Sequence, residues 1–337
     1  QVYVDLLTRF LLSILNLLRL NLNKINQGNR IMENYIKVNP SNKESQLKEK
    51  KSKLNIIIAM MSFATIGIFV KKINLSSSEI AFWRGVFALI TLLVLLIISN
   101  RISNIFKLKK SLKKLILSGI AMGFNWVFLF EAYNYTSVAL STLSYYFAPT
   151  LITVVSIFIF KEKLSLKQII CFIASTIGLI MIIGVSGGNS SDFIGILYGL
   201  LAACLYATVV LINKATGEVE GLIRTFIQFA AAVAVLFPYV YFTSGFHINK
   251  MDSFGFINLV ILGIFHTGIV YYLYFNALSY ISSQQAAILS YIDPAGAVLL
   301  SVIALGEIIS KMQLLGGAII LVATFINEVN FKKINSN

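Results

Sequence analysis

The residues best suited to chemistry in this chain are ionisable groups set inside apolar runs: Arg84, Glu131, Arg224, His266 and Asp293, with Lys71 and Lys214 at run ends. An ionisable side chain within a long apolar stretch is expensive to bury and marks a pathway or binding site by default. Asp293, beside Pro294, lies deep in its run, where it can pair with Arg84, receive a substrate ammonium or carry a proton. Glu131 shares a helical face with Phe124, Val127 and Phe128 and is a second carboxyl for proton coupling, although it sits near its run's end, where its head can equally reach the interface. Arg84, Glu131 and Asp293 are thus the candidate coupling or ion-pairing groups. Tyr145, Tyr146, Tyr206, Tyr271, Tyr272 and Tyr291 supply aromatic faces able to cage a cationic or zwitterionic ligand; anchoring at membrane interfaces is the commoner use of tyrosine. His266 alone is weak evidence for a proton relay or a metal, and no metal or cofactor site is expected from the sequence.

The elements that must position these groups follow from composition. The chain has 337 residues, 57% hydrophobic and 12% charged, with a mean hydropathy of +0.81. Soluble domains carry roughly a quarter charged residues, so an ordinary water-soluble enzyme is excluded. Apolar runs fall at about 54–71, 79–98, 115–132, 136–160, 166–185, 193–213, 222–243, 254–278, 282–304 and 312–329, each near the length of about 20 residues that a spanning helix needs. The expectation is an all-α integral membrane protein of ten spans. The net charge of +14 would suggest nucleic acid in a soluble chain. Here the basic residues lie between apolar runs, 19 in the segments placed inside and 4 in those placed outside, which favours both termini in the cytoplasm and no nucleic-acid partner. Cys171 and Cys204 lie within apolar runs and read as small hydrophobes.

Ahead of the spans, residues 1–53 read as an amphipathic and polar cytoplasmic tail, and 330–337 as a short C-terminal one. Met32 is the first methionine, which leaves open whether residues 1–31 belong to the native start. Sliding the chain on itself reveals a duplication: at an offset of 145, Ile116–Gly178 aligns with Ile261–Ala323 without a gap. The matched residues include Gly123/Gly268, Tyr146/Tyr291, Pro149/Pro294, Glu162/Glu307, Ser165/Ser310 and Gln168/Gln313, types that chance similarity between apolar stretches does not produce. The halves are therefore 54–185 and 193–329, five helices each. An odd number inserts the second half upside down relative to the first, an inverted repeat.

Duplication also sorts the polar residues. Those kept in both halves are expected to be scaffold: Ser165 with Gln168 and Ser310 with Gln313 read as capping boxes, and Glu162 and Glu307 as turn holders. Pro149 and Pro294 should kink the fourth and ninth helices, freeing the carbonyls of Tyr145 and Ser290. Polar residues present in one half alone are better suited to an asymmetric ligand: Asn125, Trp126, Glu131, Gln228, His266, Gln284, Gln285 and Asp293. For each of these singly, a buried interhelical hydrogen bond is the commoner role. Gly119-x-x-x-Gly123 and Gly195-x-x-x-Gly199 are close-packing motifs.

Over residues 54–329 this plan resembles the drug/metabolite transporter superfamily, specifically EamA-domain permeases, through Gly123-Phe-Asn-Trp126, Leu129-Phe-Glu-Ala-Tyr133, Tyr145-Tyr-Phe-Ala-Pro149, His266-Thr-Gly268 and Ala287-Ile-Leu-Ser-Tyr-Ile-Asp-Pro294. The resemblance implies a bacterial plasma-membrane carrier with a cavity between the repeats, typically exporting amino acids, related metabolites or toxic compounds. The leading expectation is a secondary transporter of a small polar or zwitterionic metabolite, driven by protons or by the substrate gradient. The rivals are a non-transporting membrane scaffold or sensor, and an intramembrane enzyme, for which no His-Glu-x-x-His motif is present. The sequence does not specify oligomeric state.

Overall fold

The computed structural model describes residues 40–102, 105, 111–160, 165–186, 190–217, 219–278, 280–281, 286 and 289–328. Among them are helices and no strand: α1 Pro40–Ala64, α2 Ile66–Val70, α3 Ser77–Ile98, α4 Leu112–Tyr135, α5 Val138–Tyr145, α6 Ala148–Phe160, α7 Leu166–Ser186, α8 Ser190–Thr216, α9 Gly221–Thr243, α10 Ser253–Val260, a π-helical stretch Ile261–Ile269, α11 Val270–Leu278, α12 Ile292–Leu305 and α13 Lys311–Glu328. The chain divides into two compact units, Gln1–Lys51 and Ser52–Asn337, and every candidate functional residue belongs to the second. The amphipathic segment expected before Met32, the C-terminal tail, Glu162, Gln284 and Gln285 lie outside the described residues.

Among the described residues, seven stretches are long and apolar enough to cross a membrane: Leu47–Val70, Ser77–Ile98, Leu112–Tyr135, Val138–Ser156, Ser190–Thr216, Gly221–Thr243 and Ser253–Leu278. The apolar helices Leu166–Ile182, Ile292–Leu305 and Lys311–Asn327 are shorter. Outward faces of these helices carry Ile98, Phe158, Phe242 and Ile303, all largely exposed, as expected where lipid is the solvent.

Small residues set the helix spacing. A Cβ on Gly119 would lie 2.3 Å from the Gln228 carbonyl oxygen, and one on Gly195 would lie 2.5 Å from Thr136 Cγ2. The two Gly-x-x-x-Gly motifs thus press α4 onto α9 and α8 onto the start of α5. Between α7 and α13, Gly178 and Gly316 face each other's carbonyls. Both capping boxes form. Ser165 N donates to Gln168 Oε1 at 2.9 Å and Gln168 N to Ser165 Oγ at 3.3 Å; the equivalent distances for Ser310 and Gln313 are 3.0 and 3.2 Å.

End contacts sort into two sets. At one end Lys71 Nζ donates to the Tyr133 carbonyl, Thr136 Oγ1 to Asp192 Oδ1 at 2.6 Å, and the amides of Val138 and Ala139 donate to the Glu307 carboxylate at 2.8 and 3.2 Å. Glu307 therefore holds a turn as expected, but the turn belongs to the other half of the chain. At the opposite end Arg101 pairs with Glu220, and Lys114 Nζ donates to the Ala215 carbonyl.

The proline segments differ from expectation. Instead of a kink within one continuous helix, α5 ends at Tyr145 and α6 begins at Ala148, with Pro149 as its second residue. At the junction Phe147 N bonds Ser144 O at 3.2 Å, an i−3 contact that tightens the last turn. Pro294 is likewise the third residue of α12. A proline in a first turn lacks a partner for its missing N–H anyway, so the strained arrangement becomes a helix start.

Candidate functional site

Arg84 projects from α3 and is 3% exposed. Two aromatic rings from α4, one turn apart, cover its guanidinium: Cζ lies 4.8 Å from the Trp126 ring centre and 5.3 Å from that of Phe130. Such faces partly replace the hydration that burial removes. Trp126 is braced edge-on by Phe229 at 5.0 Å, and Phe229 meets Tyr271 at 5.5 Å.

The third support of Arg84 is Thr267, whose Oγ1 accepts from Nε at 2.6 Å. Thr267 lies in the π-helical stretch, and its hydroxyl donates to the Leu262 carbonyl, five residues back, at 2.7 Å. The widened turn of a π-helix brings that carbonyl within reach. With its single proton committed there, the hydroxyl offers only lone pairs to Arg84. Gly263 and Gly268 seat the stretch on α3: a Cβ at either would lie 2.5 Å from Phe87 Cβ or 2.7 Å from Thr91 Cβ. The aligned segment of the first half, residues 116–124, is ordinary α-helix within α4.

His266, next in the same stretch, is 2% exposed. Its Nε2 lies 2.8 Å from Thr65 Oγ1, at the junction of α1 and α2, and its ring packs on Phe69 at 4.7 Å. It thus ties the second half to a break in the first spanning segment.

Asp293 sits in the first turn of α12. Its Oδ2 accepts from Tyr146 Oη at 2.7 Å, and Tyr146 occupies the gap between α5 and α6. The carboxyl therefore joins the two proline-broken segments. Tyr145 adds ring contacts to Tyr146 at 5.8 Å and Tyr206 at 5.6 Å. Tyr133, Tyr145 and Tyr271 are within electrostatic reach of both Arg84 and Asp293. Among the described residues no ion pair joins those two charges: the pairing entertained from sequence is not formed, because Arg84 is held by Thr267 and its aromatic faces while Asp293 is held by Tyr146. Asp293, Tyr145, Tyr146 and Tyr271 keep partial exposure despite lying in the helical interior, so they border space rather than packed atoms.

Of the other candidates, Asn125 lies beside the Tyr145 hydroxyl, and the rest fall elsewhere. The Asn125 amide donates to the Ala202 carbonyl at 2.7 Å, and that of Gln228 to Ser118 and Asn213 at 2.6 and 2.8 Å; both act as interhelical ties. Glu131 accepts from Asn134 at 3.3 Å, one turn before its helix ends. Arg224 donates to the Gly217 carbonyl at 3.1 Å. The Tyr291 ring packs on Phe325 at 5.4 Å, and Gln284 and Gln285 are not among the described residues. Sequence reasoning missed Thr267, Phe130, Thr65 and Phe229. Phe130, one turn from Trp126, was open to helical spacing; Thr267 was not, since its role depends on a π turn.

Family comparison places this arrangement. The EamA-like transporter family pattern matches residues 50–184 and again 193–328, and the chain belongs to that family. It is 32% identical over 270 residues to an uncharacterized transporter, YxxF, of Bacillus subtilis (strain 168), covering 78% of this chain and 85% of that one. An uncharacterized transporter of Archaeoglobus fulgidus is 23% identical over 272 residues, covering 80% and 94%. A solved crystal structure superposes with a TM-score of 0.57 at 15% identity, covering 82% of this chain and 96% of the other, a likeness of fold. Family and apolar helices together make this a multi-pass membrane protein of transporter type.

Proposed function

We propose that the protein is a secondary transporter, an exporter, of a small polar or zwitterionic metabolite such as an amino acid. Ten spans form two inverted five-helix repeats, 54–185 and 193–329, and alternating access moves one repeat against the other, with both termini in the cytoplasm of a bacterial cell. The observation that carries this reading is Asp293: an interior carboxyl, bordered by space, that hydrogen-bonds Tyr146 across the two proline-broken segments. Such discontinuous segments are where carriers of inverted-repeat design hold substrate. Proton coupling belongs to the proposal, with Asp293 and Glu131 as its carboxyls.

The test is flux. Sealed vesicles that hold the purified protein and are loaded with labelled amino acids should release them faster than equally loaded protein-free vesicles and should exchange label against unlabelled substrate outside. Equal leak with and without protein across the panel would reject the carrier reading. Flux with a pH profile unaltered by Glu131→Gln would remove Glu131 from coupling.

A further inference from the structure

We propose that Arg84 is a carboxylate-binding fork, and that Thr267 in the π-helical stretch is the positioning residue that aims it. The inference deepens the reading above by naming the chemical group that substrates must carry, and rests on it for the transport cycle.

Arg84 is buried, yet among the described residues its one hydrogen bond is from Nε to Thr267. Among the described residues no carboxylate pairs with it, and the ionisable groups that act on it are His266 and the hydroxyls of Tyr133, Tyr145 and Tyr271. Its two terminal amino groups hydrogen-bond no protein atom among the described residues and are not among the sealed-in polar atoms, and Tyr133, Tyr145 and Tyr271 stand near them. A buried cation left without an anion is costly unless something supplies one. Trp126 and Phe130 cover the faces of the guanidinium but cannot satisfy donors in its plane. What fits two in-plane, parallel N–H donors is a planar carboxylate bound through both oxygens.

Thr267 fixes the direction. By accepting at Nε it holds one edge of the guanidinium, leaving the opposite fork free. The hydroxyl is itself fixed by its i−5 bond to Leu262, which requires the π turn. Asp293 gives the complementary pole: Tyr146 engages Oδ2, and Oδ1 has no hydrogen bond among the described residues. A zwitterion whose carboxylate sits on Arg84 and whose ammonium turns to Asp293 would neutralise both.

The experiment uses the full chain in detergent and follows thermal unfolding against the common amino acids and, in parallel, their carboxamides, which keep the ammonium and lose the carboxylate. Stabilisation by a ligand of the folded state reports its affinity. The expected result is that stabilising ligands belong to the acid series, with each matching amide at least about ten-fold weaker, the usual worth of a charge-assisted hydrogen bond. Arg84→Lys keeps the charge but not the fork and should lose that discrimination. Thr267→Ser should keep the acid-to-amide ratio and Thr267→Val should collapse it, a readout that general loosening of the fold would not move. Amides stabilising as well as acids, or no acid stabilising at all, would overturn the fork; an unchanged ratio in Thr267→Val would overturn the positioning role. Vesicle flux separates the two readings. Discrimination without flux leaves the fork and rejects the carrier, whereas flux without discrimination does the reverse.

Discussion

Replacing Asp293 by asparagine separates charge from structure at the centre of the site. Asparagine has nearly the same shape, and its amide oxygen can accept the Tyr146 hydroxyl that now reaches Oδ2 at 2.7 Å. The contact between the two broken segments therefore survives, and folding stability should change by no more than about 1 kcal/mol, the net value of a neutral hydrogen bond. A substrate ammonium, by contrast, loses a charge-assisted hydrogen bond of about 1.5–3 kcal/mol, which corresponds to roughly ten- to hundred-fold in affinity. Flux at subsaturating substrate should fall by that factor, and any proton-driven component should vanish. Tyr146→Phe is the counterpart: it keeps the charge but removes the hydroxyl, and should cost stability more than selectivity. The assay is label exchange in sealed vesicles beside thermal unfolding of the same preparations. Wild-type flux in Asp293→Asn would refute the assignment of this carboxyl to substrate or proton.

Three further outcomes are expected of the scaffold. Glu307→Ala strips the acceptor from the Val138 and Ala139 amides and should lower stability by about 1–2 kcal/mol, the range for loss of a helix cap; Glu307→Gln should lose less, as thermal unfolding will show. Gly268→Ala places a Cβ 2.7 Å from Thr91 Cβ and should destabilise by about 1–3 kcal/mol through overpacking, a loss that the double variant with Thr91→Ala should partly restore. Burial holds the Lys71 ammonium below its usual 10.5, with Glu307 opposing the shift. Between the lowered value and 10.5 the unfolded chain binds more protons than the folded one, so stability should rise with pH across that alkaline window; Lys71→Met should flatten the slope in unfolding curves taken through it.

Much of the scaffold was legible because it is local or repeated. The capping boxes at Ser165 and Ser310 follow from residue types three apart, and both form with matching distances. The Gly-x-x-x-Gly motifs report close approach whatever the partner helix. Asp293 and Arg84 were identifiable as expensive intramembrane groups, and the tyrosines as aromatic faces. What sequence could not supply was partnership at long range. Glu307 read correctly as a turn holder, but only the fold shows that the amides it caps are those of Val138 and Ala139 in the other half. Arg84 and Asp293 suggested an ion pair by charge alone; nothing in their spacing announced that three tyrosines would stand within reach of both. Asn125 and Gln228 passed the one-half filter yet became interhelical ties, since a polar side chain inside an apolar bundle must bond something.

The duplicated halves bear on why the site is asymmetric. Two copies of one sequence begin with equivalent helices, and any ligand lying between them would meet the same groups twice. A zwitterion presents different ends, so recognition requires the halves to diverge where they face it. Divergence by side chain is visible at Asp293, which aligns with Ala148, and at His266, which aligns with Ala121. Divergence by backbone is the less expected kind: Ile261–Ile269 is a π-helix while its aligned segment stays α-helical within α4. An extra residue per turn rotates α10, on the N-terminal side of the stretch, relative to α11 on its C-terminal side, and it gives Thr267 the i−5 carbonyl that orients its hydroxyl. On a regular α-helix the same hydroxyl would donate to the carbonyl four residues back, as those of Thr225 and Thr324 do, and the i−5 bond that now orients it toward Arg84 would be lost. The asymmetry that a directional ligand demands is therefore written partly in the backbone, and a variant that restores α-helical phasing across 261–269 by deleting a residue should lose Arg84-dependent selectivity even with every site side chain retained.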